Sequence, residues 1–280
     1  MELQIKADIG MNFRFFVFIG LIISVTLASC GSVKPISEEV VIDELPPEII
    51  RSMKSVLLFS SDKSDSLKSS ITYQYYHSTG TPYKDSVNCL IKQFVADQTE
   101  YEGNASVNCD VSHKFMSDEL SVFEAAFKRE ILDGYDFGVW SLEIDIKINE
   151  DYENFIELLA STWAFTGGAH GNGYYGIDLV DKKSGGTLNL TDFFSDVSAL
   201  NAIVAPIFRE SQDLTFDEDL ENAGFWFDGG VFSVNENFSF NSGSLTFIYN
   251  AYEIAPYSRG SIEVTLPIED VKHLLIRSVD

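Results

Sequence analysis

The chain has 280 residues, 43 acidic against 19 basic, and a formal net charge of −24 at neutral pH. That balance excludes nucleic acid as a partner, because phosphate binding depends on cationic neutralisation, and it favours a soluble surface that steers basic partners inward. With 22 Phe and 12 Tyr the chain has the material for a sizeable core, in one large domain or two small ones.

The first feature in chain order is an almost unbroken apolar run, FFVFIGLIISVTLA, from Phe15 to Ala28 behind Arg14. Crossing hydrocarbon takes about twenty apolar residues. This run is shorter and has the length of the apolar core of a secretory signal. It closes on Leu27-Ala28-Ser29-Cys30, small residues suited to a signal peptidase followed by a cysteine, and so resembles the bacterial lipobox. The resemblance implies cleavage after Ser29, lipid attachment at Cys30, and an extracytoplasmic domain held to the membrane through that residue. Acyl chains contribute about 0.8 kcal/mol per buried methylene, so two or three of them anchor durably. Gly31 follows the cysteine, without the Asp that often retains lipoproteins in the inner membrane, so an outer-membrane destination is expected in a Gram-negative cell.

Residues 30–47, with Pro35, Pro46 and Pro47 among acids, read as the lipidated cysteine and a flexible tether. A first subdomain is expected over 48–135. SVLLF and ITYQYYH read as strands. Val87, Leu90, Ile91, Phe94 and Val95 recur at helical spacing within Asp85 to Gln98, and Val107, Cys109 and Val111 alternate as in a strand. A second helix, capped by Ser117 or Asp118, carries Leu120, Phe123, Phe127 and Ile131 on one face and stops at Gly134.

A second domain is expected over 136–280. Leu142, Ile144, Ile146 and Ile148 alternate with charged residues, the pattern of a half-buried strand. A strand from Phe155 to Phe165 leads into a glycine cluster, and strands at Tyr174 to Val180 and Thr187 to Leu190 flank the turn Asp181 to Gly186. A helix over Val197 to Ser211 is expected to bend or split at Pro206. Strands follow at Phe232 to Val234, Phe238 to Phe240, Leu245 to Tyr249 and Ile262 to Leu266, and a final helix after Pro267 carries Ile268, Val271, Leu274 and Leu275. Runs of strands with antiparallel turns, interrupted by helices, predict an α+β fold of mostly antiparallel sheets with helices packed on them, in two adjoining subdomains.

Two motifs stand out: Trp163-Ala164-Phe165-Thr166-Gly167-Gly168-Ala169-His170-Gly171-Asn172, and Tyr252-Glu253-Ile254-Ala255-Pro256-Tyr257-Ser258-Arg259-Gly260. In this order they resemble the RsiV/PdaC-type extracytoplasmic domain pair of lysozyme-binding anti-sigma factors and peptidoglycan deacetylases. The C-terminal member of the pair covers about 140–280, and the N-terminal member is matched by pattern over about 50–135. The resemblance implies an extracytoplasmic ligand-binding module. It does not carry over deacetylation, which needs a separate metal-dependent domain, or signalling, which needs a membrane-spanning helix and a cytoplasmic segment.

Read physically, the glycine cluster is first a tight connection between strands with His170 hydrogen-bonded across it, and second a loop presenting backbone N–H groups and His170 to a ligand. It lacks the Gly-Lys-Ser/Thr of a phosphate loop. The second motif reads first as a corner, with Pro256 fixing the backbone, Glu253 pairing with Arg259, and Tyr252 packing near Tyr257. Its other reading is a tyrosine-lined contact. Gly167, Gly168, His170, Tyr252, Glu253, Tyr257 and Arg259 are therefore the candidate ligand-binding residues. With Cys30 lipidated, Cys89 and Cys109 remain, either as a disulfide worth roughly 3 kcal/mol in the chain-entropy model or as two separate thiols.

No catalytic motif is present: neither Gly-x-Ser-x-Gly nor His-Glu-x-x-His occurs. His77, His113, His170 and His273 have no metal-ligand spacing, and Asp217-x-Asp219-x-Glu221 has Asn222 where a calcium loop needs glycine. No enzyme activity, cofactor or metal is expected. The expected partners are the membrane, through Cys30, and either a basic wall-active protein such as lysozyme or peptidoglycan; a cell-wall hydrolase or esterase is the remaining alternative.

Overall fold

The computed structural model describes residues 34–44, 49–59, 66–77, 80–99, 114–132, 138–149, 151–241 and 243–279. The leader with Cys30, the strand expected at Val107 to Val111, Cys109 and His113 lie outside them.

The fold is α+β, with two sheets that are almost entirely antiparallel. The larger has seven strands in sequence order: β1 (Lys34–Glu44), β2 (Ile49–Phe59), β3 (Ser66–Tyr76), β4 (Val139–Asn149), β5 (Phe155–Phe165), β6 (Asn172–Asp181) and β7 (Thr187–Leu188). Among the described strands only β3 and β4 pair in parallel. Parallel neighbours need a long crossover, and here it contains α1 (Pro82–Thr99) and α2 (Lys114–Leu132). The smaller sheet has the order β10 (Ile262–Pro267), β9 (Ser244–Tyr249), β8 (Phe238–Asn241). The remaining helices are α3 (Leu190–Phe193), α4 (Val197–Ser211) and α5 (Ile268–Val271).

Period-two side chains divide the large sheet into two faces. Leu142, Ile144 and Ile146 on β4 and Ile156 and Leu158 on β5 meet Val87, Ile91 and Val95 of α1 and Phe123 and Phe127 of α2 in one core. Phe155 on β5 and Leu179 on β6 point the opposite way, into a second core shared with α4 and the three-stranded sheet. The first half of β5 is consequently buried on both faces.

The small sheet docks through asparagine side chains. Among the described residues β6 has no strand on its outer edge over most of its length, since β7 pairs only with Leu179 and Val180. At Tyr175 that edge is met by Asn250, whose Oδ1 accepts from Tyr175 N at 2.8 Å and whose Nδ2 donates to Tyr175 O at 2.9 Å. Asn237 Nδ2 donates to the same carbonyl at 3.0 Å. Side chains thus supply the bonds that an eighth strand would have made.

Several expectations change. Residues 34–44, read as part of a tether, form β1: Val40, Val41 and Ile42 are β-branched and suit a pleated backbone, and Pro35 sits at an irregularity in this edge strand's register. The boundary at 135/136 falls inside a continuous sheet, because β3 pairs with β4 across it. The second helix begins at Lys114, ahead of the expected cap. Phe232 to Val234 is not a strand; Phe232 is buried while Val234 N donates to Asn201 Oδ1 at 2.8 Å. Leu190 opens α3 and does not extend β7. Helix α4 runs unbroken through Pro206, which lies on its exposed face, where the carbonyl that loses its bond meets water. The terminal helix lasts one turn before tightening into a 3₁₀ turn at Lys272–Leu274.

Candidate functional site

The two motifs, far apart in sequence, meet at the β5–β6 connection. Gly167 and Gly168 turn the chain there with φ of 95° and 89°, a region that disfavours side chains. His170 follows, exposed, with its ring stacked on that of Tyr257 at 3.7 Å between centroids and 13° between planes. The Tyr257 hydroxyl donates to the Gly171 carbonyl at 2.6 Å, and His170 Nδ1 lies 3.0 Å from the same oxygen. Tyr252 completes a row of three rings, 5.5 Å from Tyr257.

Tyr252 is 53% exposed and adopts φ of 69°, in the left-handed region that non-glycine residues seldom enter. Its neighbour Glu253 holds the turn. Glu253 N donates to Asn250 O at 3.0 Å, and the carboxylate accepts from Asn250 N at 2.8 Å and from Asn235 Nδ2 at 2.7 Å. The expected Glu253–Arg259 pair does not form. Arg259 donates to Ala223 O at 3.0 Å, with its guanidinium 4.5 Å from the centre of the Phe225 ring. Both residues are committed to holding the corner, because each meets a closer partner than the other. Ile254 and Ala255 between them are buried, and Pro256 opens the short 3₁₀ turn Tyr257–Arg259. Among the seven candidates, then, His170 and Tyr252 present exposed rings with the half-buried Tyr257 between them, while Gly167, Gly168, Glu253 and Arg259 shape the corner that holds them.

Trp163 adjoins this row. It stands opposite Gly173 in the β5–β6 register, and a Cβ placed on Gly171 would come within 2.5 Å of its ring. The indole therefore lies against glycine backbone while 45% of the residue remains exposed. Sequence reading quoted Trp163 inside the motif without giving it a role, and it missed Tyr175, Asn237 and Asn250. An aromatic on one arm of a hairpin facing glycines on the other was the available signal for Trp163.

Cys89 on α1 is disulfide-bonded. Burial pushes the carboxyls of Glu157 and Asp178 above their ordinary range; for Glu157, hydrogen bonds from Ser239, Asn149 and the Phe240 backbone offset this only in part. These two groups sit on β5 and β6, Glu157 on the side of the small sheet. Asp181 goes the other way: burial raises it, but bonds from Arg277, at 2.8 Å, and from Ser184 prevail and hold it at about 2. In the acidic segment, Arg209 donates to Thr215 O and Glu218 O, and Asp219 Oδ1 accepts from Asn222 N, so these groups stabilise a turn. Among the described residues, no group of His, Cys, Asp and Glu side chains is arranged to hold a metal, and no helix is long and apolar enough to cross a membrane.

A family described as a protein of unknown function (DUF3298) matches residues 191–269. The DUF3298 match takes in α4, the small sheet and the Tyr252–Gly260 motif. A crystal structure of a DUF3298 family member from Bacteroides fragilis is similar, with a TM-score of 0.59 at 20% identity over 88% of this chain and 95% of that one. A DUF3298 family protein from Pseudomonas aeruginosa gives 0.51 at 18% identity, covering 88% and 95% respectively. At these identities the likeness is one of fold. No curated protein matches the chain.

Proposed function

We propose that this chain is a lipid-anchored binding protein of the bacterial cell envelope, of the RsiV/PdaC type, whose partner is a basic wall-active protein such as lysozyme. The observation that carries this reading is the convergence of the two motifs into one row, the exposed His170 and Tyr252 on either side of the half-buried Tyr257. Tyr252 adopts a costly backbone conformation and still presents its ring to solvent. Strain of that kind persists where the surrounding structure enforces it, and it is concentrated at sites of binding. An exposed tyrosine backed by a second ring on a rigid corner suits a protein interface, where aromatic anchors carry much of the energy. The formal charge of −24 adds long-range attraction for a cationic partner. The lipid attachment is supported by the lipobox-like Leu27-Ala28-Ser29-Cys30, which implies a module outside the cytoplasm.

The test is a titration of the chain with lysozyme at low and then moderate salt. Saturable binding that weakens as salt rises, and that weakens about ten-fold or more in Tyr252→Ala, is the expected result. Absence of binding at low salt removes lysozyme as the partner.

A further inference from the structure

The outer face of the large sheet carries a second feature that the tyrosine row does not absorb. Opposed residues of neighbouring strands share a face, so Trp163, its partner Glu143 on β4, its partner Gly173 on β6, and Tyr175 two residues beyond all point the same way. Phe155 and Leu179, further along that face, are covered by the second core, whereas Trp163 and Tyr175 are 45% and 46% exposed. Two properties distinguish the open part. First, the indole is seated on glycine: a Cβ at Gly171 or Gly173 would meet the Trp163 ring at 2.5 or 3.4 Å, so the ring is anchored there while 45% of the residue stays exposed. Second, within a strongly acidic chain the charges beside the indole on β3 and β4 are paired. Glu143 is paired with Lys68 at 3.2 Å, and Asp145 with Lys147 at 3.3 Å. The half-buried Ser141 and Ser161 lie on the same side.

We infer that this face is a binding platform for an uncharged glycan chain. An anchored, partly exposed indole stacks on the C–H side of a pyranose. Tyr175, a diagonal cross-strand neighbour about 7–8 Å away, supplies a second aromatic contact, and the hydroxyls and paired ions beside them supply hydrogen bonds without net charge. An exposed aromatic patch with this polar rim marks a ligand surface, and the paired charges beside it match a neutral ligand where the rest of the chain favours a cation. The inference stands apart from lysozyme binding, and either can fail alone.

The experiment is calorimetric titration of the full chain with chitohexaose, cellohexaose and fully deacetylated chitosan oligomers. Saturable binding of at least one neutral hexamer is expected, changed by less than about two-fold between low and moderate salt because no net charge is neutralised. Trp163→Ala should weaken it about ten-fold. Should that variant lose its fold, Tyr175→Ala, which leaves the backbone bonds to Asn250 in place, is expected to weaken binding several-fold with the thermal transition unchanged. The platform is overturned if neither neutral hexamer binds at millimolar concentration, if only the cationic oligomer binds, or if both variants that fold bind as the parent does.

Discussion

The two cores lie on opposite faces of the same strands and are built in different ways. Between the large sheet and its two helices the core is assembled from regular elements, with aliphatic side chains such as Ile144, Ile146, Val87 and Ile91 recurring at the period of their strand or helix. On the other face phenylalanine is the commonest core residue, and some of the members come from irregular backbone: Phe225, Phe227 and Phe232 lie outside every helix and strand. They surround Phe208 of α4 with ring centroids at 5.1, 5.3 and 4.9 Å, the first two in edge-on geometry. Large rings bury more surface per residue and fix one another's orientation. A core of this kind therefore needs less secondary structure to hold it.

The comparison is broken most forcefully at Phe208, which is fully buried. Phe208→Ala is expected to cost about 3–5 kcal/mol, whereas Ile144→Val in the aliphatic core costs about 0.5–1.5 kcal/mol. Because β5 serves both cores, chemical denaturation should show one shifted transition in each variant. Two separate transitions would show that the faces fold independently. Next in size is Asn250→Ala. It strips the Tyr175 backbone of two partners and should cost about 1–3 kcal/mol by leaving a part-buried amide unsatisfied, read as a lower denaturant midpoint.

The smallest effects concern pH, and here two carboxyls differ in sign. Asp181 has a lowered value in the folded state, so its contribution is present above the ordinary Asp range and is lost as pH falls through about 2. Asp181→Asn should cost about 1–2 kcal/mol at neutral pH and nothing at strongly acidic pH. Glu157 is raised by burial, so its contribution is present below its ordinary range and is lost as pH rises through the folded value. Glu157→Gln should therefore lie above the parent in stability at neutral pH, with the difference closing under acid. An unchanged pH profile in either variant would remove that residue from the account.

What the sequence disclosed follows the same division. Strand β4 and helix α4 were readable because their apolar residues repeat at periods of two or three to four, and β5 because an apolar run leads into a glycine cluster. Phe232 to Val234 was misread as a strand because an irregular segment filling an aromatic core has the composition of a strand without its hydrogen bonds. β1 was misread because prolines and acids outweighed Val40 to Ile42. At the candidate site, both motifs were visible as unusual residue groupings, and Pro256 was rightly seen to fix a corner. Their meeting was not visible, since it depends on how the small sheet docks, and that in turn depends on Asn237 and Asn250, two asparagines with no distinguishing local pattern. Glu253 and Arg259 were paired on sequence proximity and charge; the backbone and amide donors around Glu253, and the Phe225 ring beneath Arg259, outcompete that pairing.

The two-sided burial of the first half of β5 bears on how this protein can be cut. The segment recognised at the level of family begins at residue 191, after both strands have ended. A gene fragment trimmed to that segment would encode the small sheet and α4 without Phe155 and Leu179, the layer against which they close. In a cell such a fragment would be substrate for proteases and chaperones. The unit of inheritance that sequence comparison detects and the unit that survives excision have different borders in this molecule, and the second is the larger.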